Sequence, residues 1–357
     1  MDEMHLRFHI VVTPGSAKLA IHAVQSLLLY SPYEFNLVSN GLGAEELALI
    51  EQFSGRAARV SHWHSPERGV LSHGVILSRL FFTEAEEYFC FADADLFAVA
   101  PFAHTLERTI QAGAAAVTAG YHLVLDPDND WPGFEGKRLK GPQGETLGVT
   151  FFAVYNRRLV ERVLARYGVL FERYDAFEQL PEQVQKLLRG GPYQAPAYDT
   201  AKVLNILLHR EGGVVQHLDM RQLVHIGGLC GKLLPQCGRL NKIRRWLRLR
   251  SCNPDLDDRS LLPPWWKRAW WLLVEPAYYA DRLGTYVRER AAEFYARYVL
   301  YLDGRAPAPV LGVRDPELRR RIELGMFTLW YAWRRDGLLY APSAPRADKA
   351  APPAQAA

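Results

Sequence analysis

The sequence predicts an α/β domain on a mostly parallel sheet, followed by a helical region that is basic and aromatic. Over residues 6–218, apolar runs of strand length alternate with amphipathic segments of roughly ten residues, the rhythm of parallel strands joined by crossover helices. Beyond Gly231 that rhythm gives way to short helical periods carrying Arg and Trp. Charge divides at the same place. Residues 1–231 hold 20 basic and 26 acidic side chains, net −6, and residues 232–357 hold 23 and 13, net +10. The bland overall charge of +4 is the sum of two unlike regions. With 357 residues, 49% of them hydrophobic and 23% charged, the chain has the composition of a folded protein, which excludes fibrous or disordered classes.

The elements follow in order. Leu6–Thr13 is a β-branched run stopped by Pro14-Gly15, and Ser16 is placed to cap a helix through Leu19, Ala23 and Leu27 that ends before Pro32. Phe35–Ser39 reads as the second strand, Ala44–Phe53 as a helix, Ala57–His62 as a third strand and Gly74–Phe82 as a helix. Glu87–Ala92 is a fourth strand with almost no polar residue. Ala114–Ala119 and Val149–Tyr155 are further strands, separated by a polar, turn-rich loop over 126–148 of the kind that usually carries function. Helices over Arg157–Tyr167 and Ala201–His209 and a last strand over Val214–Leu218 complete the domain. In such sheets ligands bind beyond the carboxyl ends of the strands. Thr13, Ser39-Asn40 and the residues after Ala92 are therefore the ones to inspect.

The sharpest feature lies there. In Phe89-Cys-Phe-Ala-Asp93-Ala94-Asp95-Leu-Phe97 two carboxylates emerge from a very apolar strand. Burying them uncompensated would be costly, so they face solvent, pair with a cation or cap the next turn. At a strand's carboxyl edge the spacing suits a hard divalent cation bridging a diphosphate.

At these residues the chain resembles the nucleotide-sugar-dependent glycosyltransferases of the GT-A fold, a Rossmann-type sandwich, over residues 6–231. The resemblance implies that Asp93 and Asp95, with Ala94 between them, bind Mn²⁺ or Mg²⁺ and the donor. Val224-His225-Ile226-Gly227-Gly228, about 130 residues on, matches the late H-x-x-G of the retaining family that includes glycogenin and bacterial galactosyltransferases. It implies His225 as third metal ligand and Gly228 as donor contact; the alternative is a histidine satisfied by a backbone carbonyl. The family's K-P-W continuation is absent, since Lys232 lies one residue too far on. Asp199, in Tyr198-Asp199-Thr200 before a helix, is the catalytic or sugar-binding carboxylate on this resemblance, with a helix N-cap as the plain alternative. Thr13, Pro14, Gly15, Ser39 and Asn40 fall where such enzymes grip the nucleoside. Arg79 falls where they place a basic donor contact, a surface salt bridge being the alternative. Asp126, Asp128, Asp130 and Trp131 make the long loop a candidate lid. His73, His104, His209 and His217 read as structural or surface. The implied reaction transfers sugar from a nucleotide sugar, a UDP-sugar by this resemblance, to a cell-envelope glycan or lipid-linked acceptor.

Three other readings compete. A sugar nucleotidyltransferase would open with a Gly-rich basic loop, which Thr13-Pro-Gly-Ser-Ala-Lys18 is not. A dehalogenase-type phosphatase would carry D-x-D after its first strand. An inactive membrane-associated scaffold would need no metal.

Residues 232–340 form the second region and 341–357 an Ala/Pro-rich tail expected to be disordered. Arg239–Arg250 has six basic residues and no acid, and Trp265, Trp266, Trp270 and Trp271 follow. Basic helices with Trp and Leu fit peripheral membrane contact through residues 239–301; packing as a helical core or oligomer interface is the alternative. Nucleic acid is not expected as a partner, for no nucleic-acid module accompanies the arginines. No run approaches the roughly 20 apolar residues that span a bilayer. The four cysteines form no C-x-x-C pair and the N-terminus is not a signal peptide, so the expected location is cytoplasmic, peripheral on the inner membrane face.

Overall fold

The computed structural model describes residues 4–67, 69–122, 147–148, 150–195, 197–233, 265–274, 276 and 279–335. β1 (Arg7–Val12), α1 (Ala17–Tyr30), β2 (Glu34–Ser39), α2 (Ala44–Ser54), β3 (Val60–His64), α3 (His73–Thr83) and β4 (Tyr88–Ala92) alternate as the periodicity requires. After them come β5 (Leu96–Ala98), α4 (Ala103–Gln111), β6 (Ala116–Ala119) and β7 (Tyr121–His122). The series continues with β8 (Phe152–Asn156), α5 (Arg157–Tyr167), α6 (Glu182–Leu188), α7 (Lys202–Arg210), β9 (Val215–Leu218), β10 (Leu223–His225) and α8 (Leu229–Leu233). Among the described residues three further helices follow: α9 (Trp265–Val274), α10 (Tyr279–Leu302) and α11 (Pro316–Arg335).

The main sheet has seven strands in the order β3-β2-β1-β4-β8-β6-β9. It is parallel except for β8, which runs antiparallel to β4 on one side and β6 on the other. The expected mostly parallel α/β fold is what forms. Alternate strand residues feed opposite cores, since successive side chains point to opposite faces. Phe89 and Phe91 of β4 pack with α3, α5 and α7, while Cys90 and Ala92 face α1 and α4. A strand buried on both faces needs apolar residues at every position, which is why Tyr88–Ala92 shows no alternation.

A second, three-stranded sheet, β5-β10-β7, was not anticipated; its strands are two or three residues long, too short to show a period. The expected Ser16 cap is also corrected. Ser16 sits at the N-cap without capping α1, because its Oγ donates to the Thr13 carbonyl at 2.7 Å. The Glu46 carboxylate takes the cap's place, accepting from Gly15 N–H at 2.9 Å and Ala17 N–H at 3.3 Å.

A third core joins the C-terminal helices to the sheet domain. Phe294, Tyr295, Tyr298 and Val299 of α10 and Ile322, Leu329 and Trp333 of α11 pack with Leu19 and Ala23 of α1, Val224 and Ile226 around β10, and Leu229 of α8. The His22 ring packs at a tilt of 36° against Trp333, with ring centroids 4.0 Å apart. The buried Asp303 carboxylate accepts from Trp333 Nε1 at 3.2 Å and pairs with Lys18 and Arg305. The aromatic residues of α10 beyond Arg290 are therefore core, the alternative to a membrane-facing surface.

Candidate metal site

β4 is pinned between β1 and β8, so its end is a fixed point. Beyond it, Asp93 N–H donates to the Phe151 carbonyl at 2.8 Å, and the chain turns so that Leu96 N–H reaches the Asp93 carbonyl. β5 then pairs antiparallel with β10, placing His225 opposite Leu96, and Ile226 N–H donates to the Asp95 carbonyl. The small sheet is thus the device that carries His225 to the D-x-D turn. Its Nε2 lies 3.1 Å from Asp95 Oδ1 and 3.2 Å from Asp93 Oδ2.

The rest of the site orients these groups. Gly227 and Gly228 both adopt positive φ (90° and 67°), a conformation that favours glycine, and turn the chain from β10 into α8. That turn delivers Leu229 N–H to the second Asp95 oxygen at 2.8 Å. The Phe151 ring stacks on His225 at 4.3 Å. Asp95 and His225 are buried, while Asp93 is about one-third exposed at the mouth.

The charges set the proton affinities. Burial alone would raise the Asp95 pKa, but the His225 charge and hydrogen bonds from His225 and Leu229 outweigh it and hold the carboxyl below its usual range. Burial would lower His225, yet the Asp95 charge and hydrogen bonds to both aspartates push it up to about 9. Two carboxylates and an imidazole converging on one point accept either a proton on the imidazole or a divalent cation in its place. Their ligand atoms all lie within 4.8 Å of one another, the only such group of three among the described residues. Two oxygens and a nitrogen, with Leu229 N–H as an outer-shell partner, suit Mn²⁺ or Mg²⁺.

The remaining sequence candidates make contacts of their own. The Thr13-Pro14-Gly15 turn abuts the end of α8: a Cβ on Gly15 (φ 86°) would collide with the Leu233 carbonyl. Ser39 Oγ bonds His62 Nε2 at 2.8 Å, and the Asn40 side-chain amide clamps both backbone groups of Leu71 at 2.9 Å. Arg79 forms an exposed ion pair with Glu67 at 3.0 Å, the alternative the sequence left open for it. Asp199 does not cap α7; Ala201 occupies the N-cap, and Asp199 Oδ1 instead accepts the Thr200 N–H at 2.9 Å. Thr150, which precedes Phe151 in the chain, donates its Oγ1 proton to the carbonyl of Thr200, the residue after Asp199, at 2.9 Å. His217 bonds Thr118 Oγ1, consistent with a structural role. Asp126, Asp128, Asp130 and Trp131 lie outside the described residues, as do 239–264 and the 341–357 tail.

Two features escaped the sequence reading. Lys202 is buried and donates to the Gly148 carbonyl, while Asn205 Nδ2 donates to the Leu147 carbonyl, so α7 holds the segment leading to Phe151. Burial lowers the Lys202 pKa to about 8 against the opposing pull of Asp199. The signal was available: Lys202 is the one charge in the apolar run Ala201–Leu208. Ala201, at φ 60°, is the one non-glycine with positive φ among the described residues. Such strain gathers near functional sites.

No protein-family profile and no curated protein matches the chain. Among solved structures, S. aureus TarS (residues 1–349) superposes with a TM-score of 0.42 at 12% identity, covering 94% of this chain and 92% of that one. Mannosyltransferase PcManGT from Pyrobaculum calidifontis, in complex with GDP-Man and Mn²⁺, gives 0.40 at 13% identity, covering 91% and 87%. An active-site mutant of LgtC gives 0.33 at 10% identity over 47% of this chain, which spans 66% of the LgtC chain. A thymidylyltransferase superposes at a similar level. At these scores the likeness carries no residue roles, and the site must speak for itself. Among the described residues, no helix is long and apolar enough to cross a membrane.

Proposed function

We propose that this chain is a metal-dependent glycosyltransferase that moves a sugar from a nucleotide sugar, of the UDP type, to a cell-envelope glycan or lipid-linked acceptor at the cytoplasmic membrane face. The observation that carries this reading is the convergence of Asp93, Asp95 and His225 at the carboxyl end of the sheet's central strand. Residues 1–231 are the catalytic region in this reading, and 232–340 the acceptor and membrane region.

Asp93, Asp95 and His225 would hold Mn²⁺ or Mg²⁺, which when bound supplies positive charge to a departing nucleoside diphosphate. Leu229 N–H fixes the Asp95 carboxylate, and Phe151 fixes the imidazole plane. Asp93, the most exposed of the three, faces incoming ligand. Asp199 is the carboxylate assigned to the sugar or acceptor: a general base in an inverting reaction, an orienting and charge-stabilising group in a retaining one. Thr13–Gly15, Ser39, Asn40, Arg79 and Gly228 form the proposed donor rim.

The test is a thermal-shift panel of nucleotide sugars with and without Mn²⁺. A UDP-sugar shift that needs metal and disappears in Asp95→Asn supports the reading. No shift with any nucleotide sugar refutes it.

A further inference from the structure

α9 is an amphipathic helix turned inside out. Its sequence, Trp-Trp-Lys-Arg-Ala-Trp-Trp-Leu-Leu-Val, places Lys267, Arg268 and Trp271 on the half-buried side, with the Lys267 ammonium 5.3 Å from the Trp271 ring centre. The outward side is apolar: Trp265, Trp266, Trp270, Leu272, Leu273 and Val274 are all more than half exposed. A helix bathed in water turns these faces the other way. Contiguous exposed apolar surface of this kind marks a contact with something other than water.

We propose that the outer face of α9 docks onto an anionic lipid surface, lying in the interface plane with its indoles among the headgroups. This rests on the membrane part of the proposed function and not on the transfer reaction. Charge identifies the occupant. The chain between α8 and α9 contains Arg239–Arg250, with six basic residues and no acid, and residues 232–357 carry net +10. A second copy would bring like charge against like. An anionic bilayer offers apolar depth and opposite charge together. Ten helical residues measure about 15 Å, half the hydrocarbon thickness, so α9 lies in the surface and does not span it.

A second exposed stripe on α11, Leu324, Phe327 and Tyr331, is the competing surface. The experiment is flotation of the full chain with phosphatidylglycerol/phosphatidylcholine vesicles, without donor or metal, so that failed glycosyl transfer leaves the readout untouched. Wild type should float and show a blue-shifted Trp emission. The Trp266→Ser/Trp270→Ser/Leu273→Ser variant should lose at least tenfold in vesicle affinity, and Phe327→Ser/Tyr331→Ser should float as wild type does. The exposed positions leave the core intact, and an unchanged melting temperature verifies it. Wild-type flotation of the α9 variant overturns the proposal. So does equal binding of the wild type to pure phosphatidylcholine, or a lipid-free dimer that the α9 substitutions dissolve.

Discussion

His225 Nε2 lies 3.1 Å from Asp95 Oδ1 although 130 residues separate them along the chain. The antiparallel pairing of β5 with β10 closes that distance by setting His225 opposite Leu96, the residue after Asp95. A loop of this length is entropically expensive to close by two side chains alone, so the pairing and the third core carry the closure.

In the proposed metal site, a proton and a divalent cation would compete at this contact. The His225 pKa, raised to about 9 from 6.5, contributes stability to the metal-free protein that is fully present below pH 6.5 and lost as pH rises through about 9. The difference corresponds to roughly 3 kcal/mol as an upper limit. Metal-free wild type should therefore lose its melting-temperature advantage over His225→Gln between pH 7 and 10. At pH 7.5, Mn²⁺ binding must expel the imidazole proton. Calorimetry in two buffers of different ionisation enthalpy should report about one proton released per ion. A buffer-independent heat would contradict it.

Two backbone substitutions should act in opposite directions. Gly228→Ala forces an alanine to φ 67°, where the new Cβ meets only Ala292 Cβ at an ordinary 3.5 Å. The cost is conformational, about 1–2 kcal/mol, with weakened Mn²⁺ binding as Leu229 N–H shifts from Asp95. Ala201→Gly places glycine where φ is already 60° and should stabilise by up to about 1 kcal/mol. Denaturant midpoints measure both.

Lys202 has the reverse pH signature to His225. Its pKa is depressed to about 8 from 10.5, so the unfolded chain binds more protons between those values, and stability rises with pH there. The melting-temperature difference between wild type and Lys202→Met should move in favour of wild type from pH 8 to pH 10. A flat difference would mean that Lys202 titrates normally.

The Asp303 carboxylate ties the C-terminal helices to α1, through Trp333 Nε1 and Lys18. Asp303→Ala leaves the buried indole N–H without its acceptor, at a cost of about 1–3 kcal/mol. Chemical denaturation should register that loss, and limited proteolysis should cut earlier between α10 and α11. Equal stability would show that the carboxylate offsets its own desolvation and no more.

The main sheet was legible in the sequence. The unbroken apolar run Phe89–Ala92, placed in the alternation of strands and helices, reads as a strand covered on both faces, and Asp93 and Asp95 at its end are costly to bury without a cationic partner. Those are local facts, set by residue chemistry and period. His225 as that partner came from the H-x-x-G resemblance, and only β5 and β10, too short to show a pattern, decided that it reaches them. The C-terminal region divides for a similar reason. Composition makes both α9 and α10 aromatic, but tertiary packing buries Phe294, Tyr295 and Tyr298 against α1 and leaves Trp265, Trp266 and Trp270 facing outward. Burial depends on which surface is nearby, and a one-dimensional pattern does not contain it.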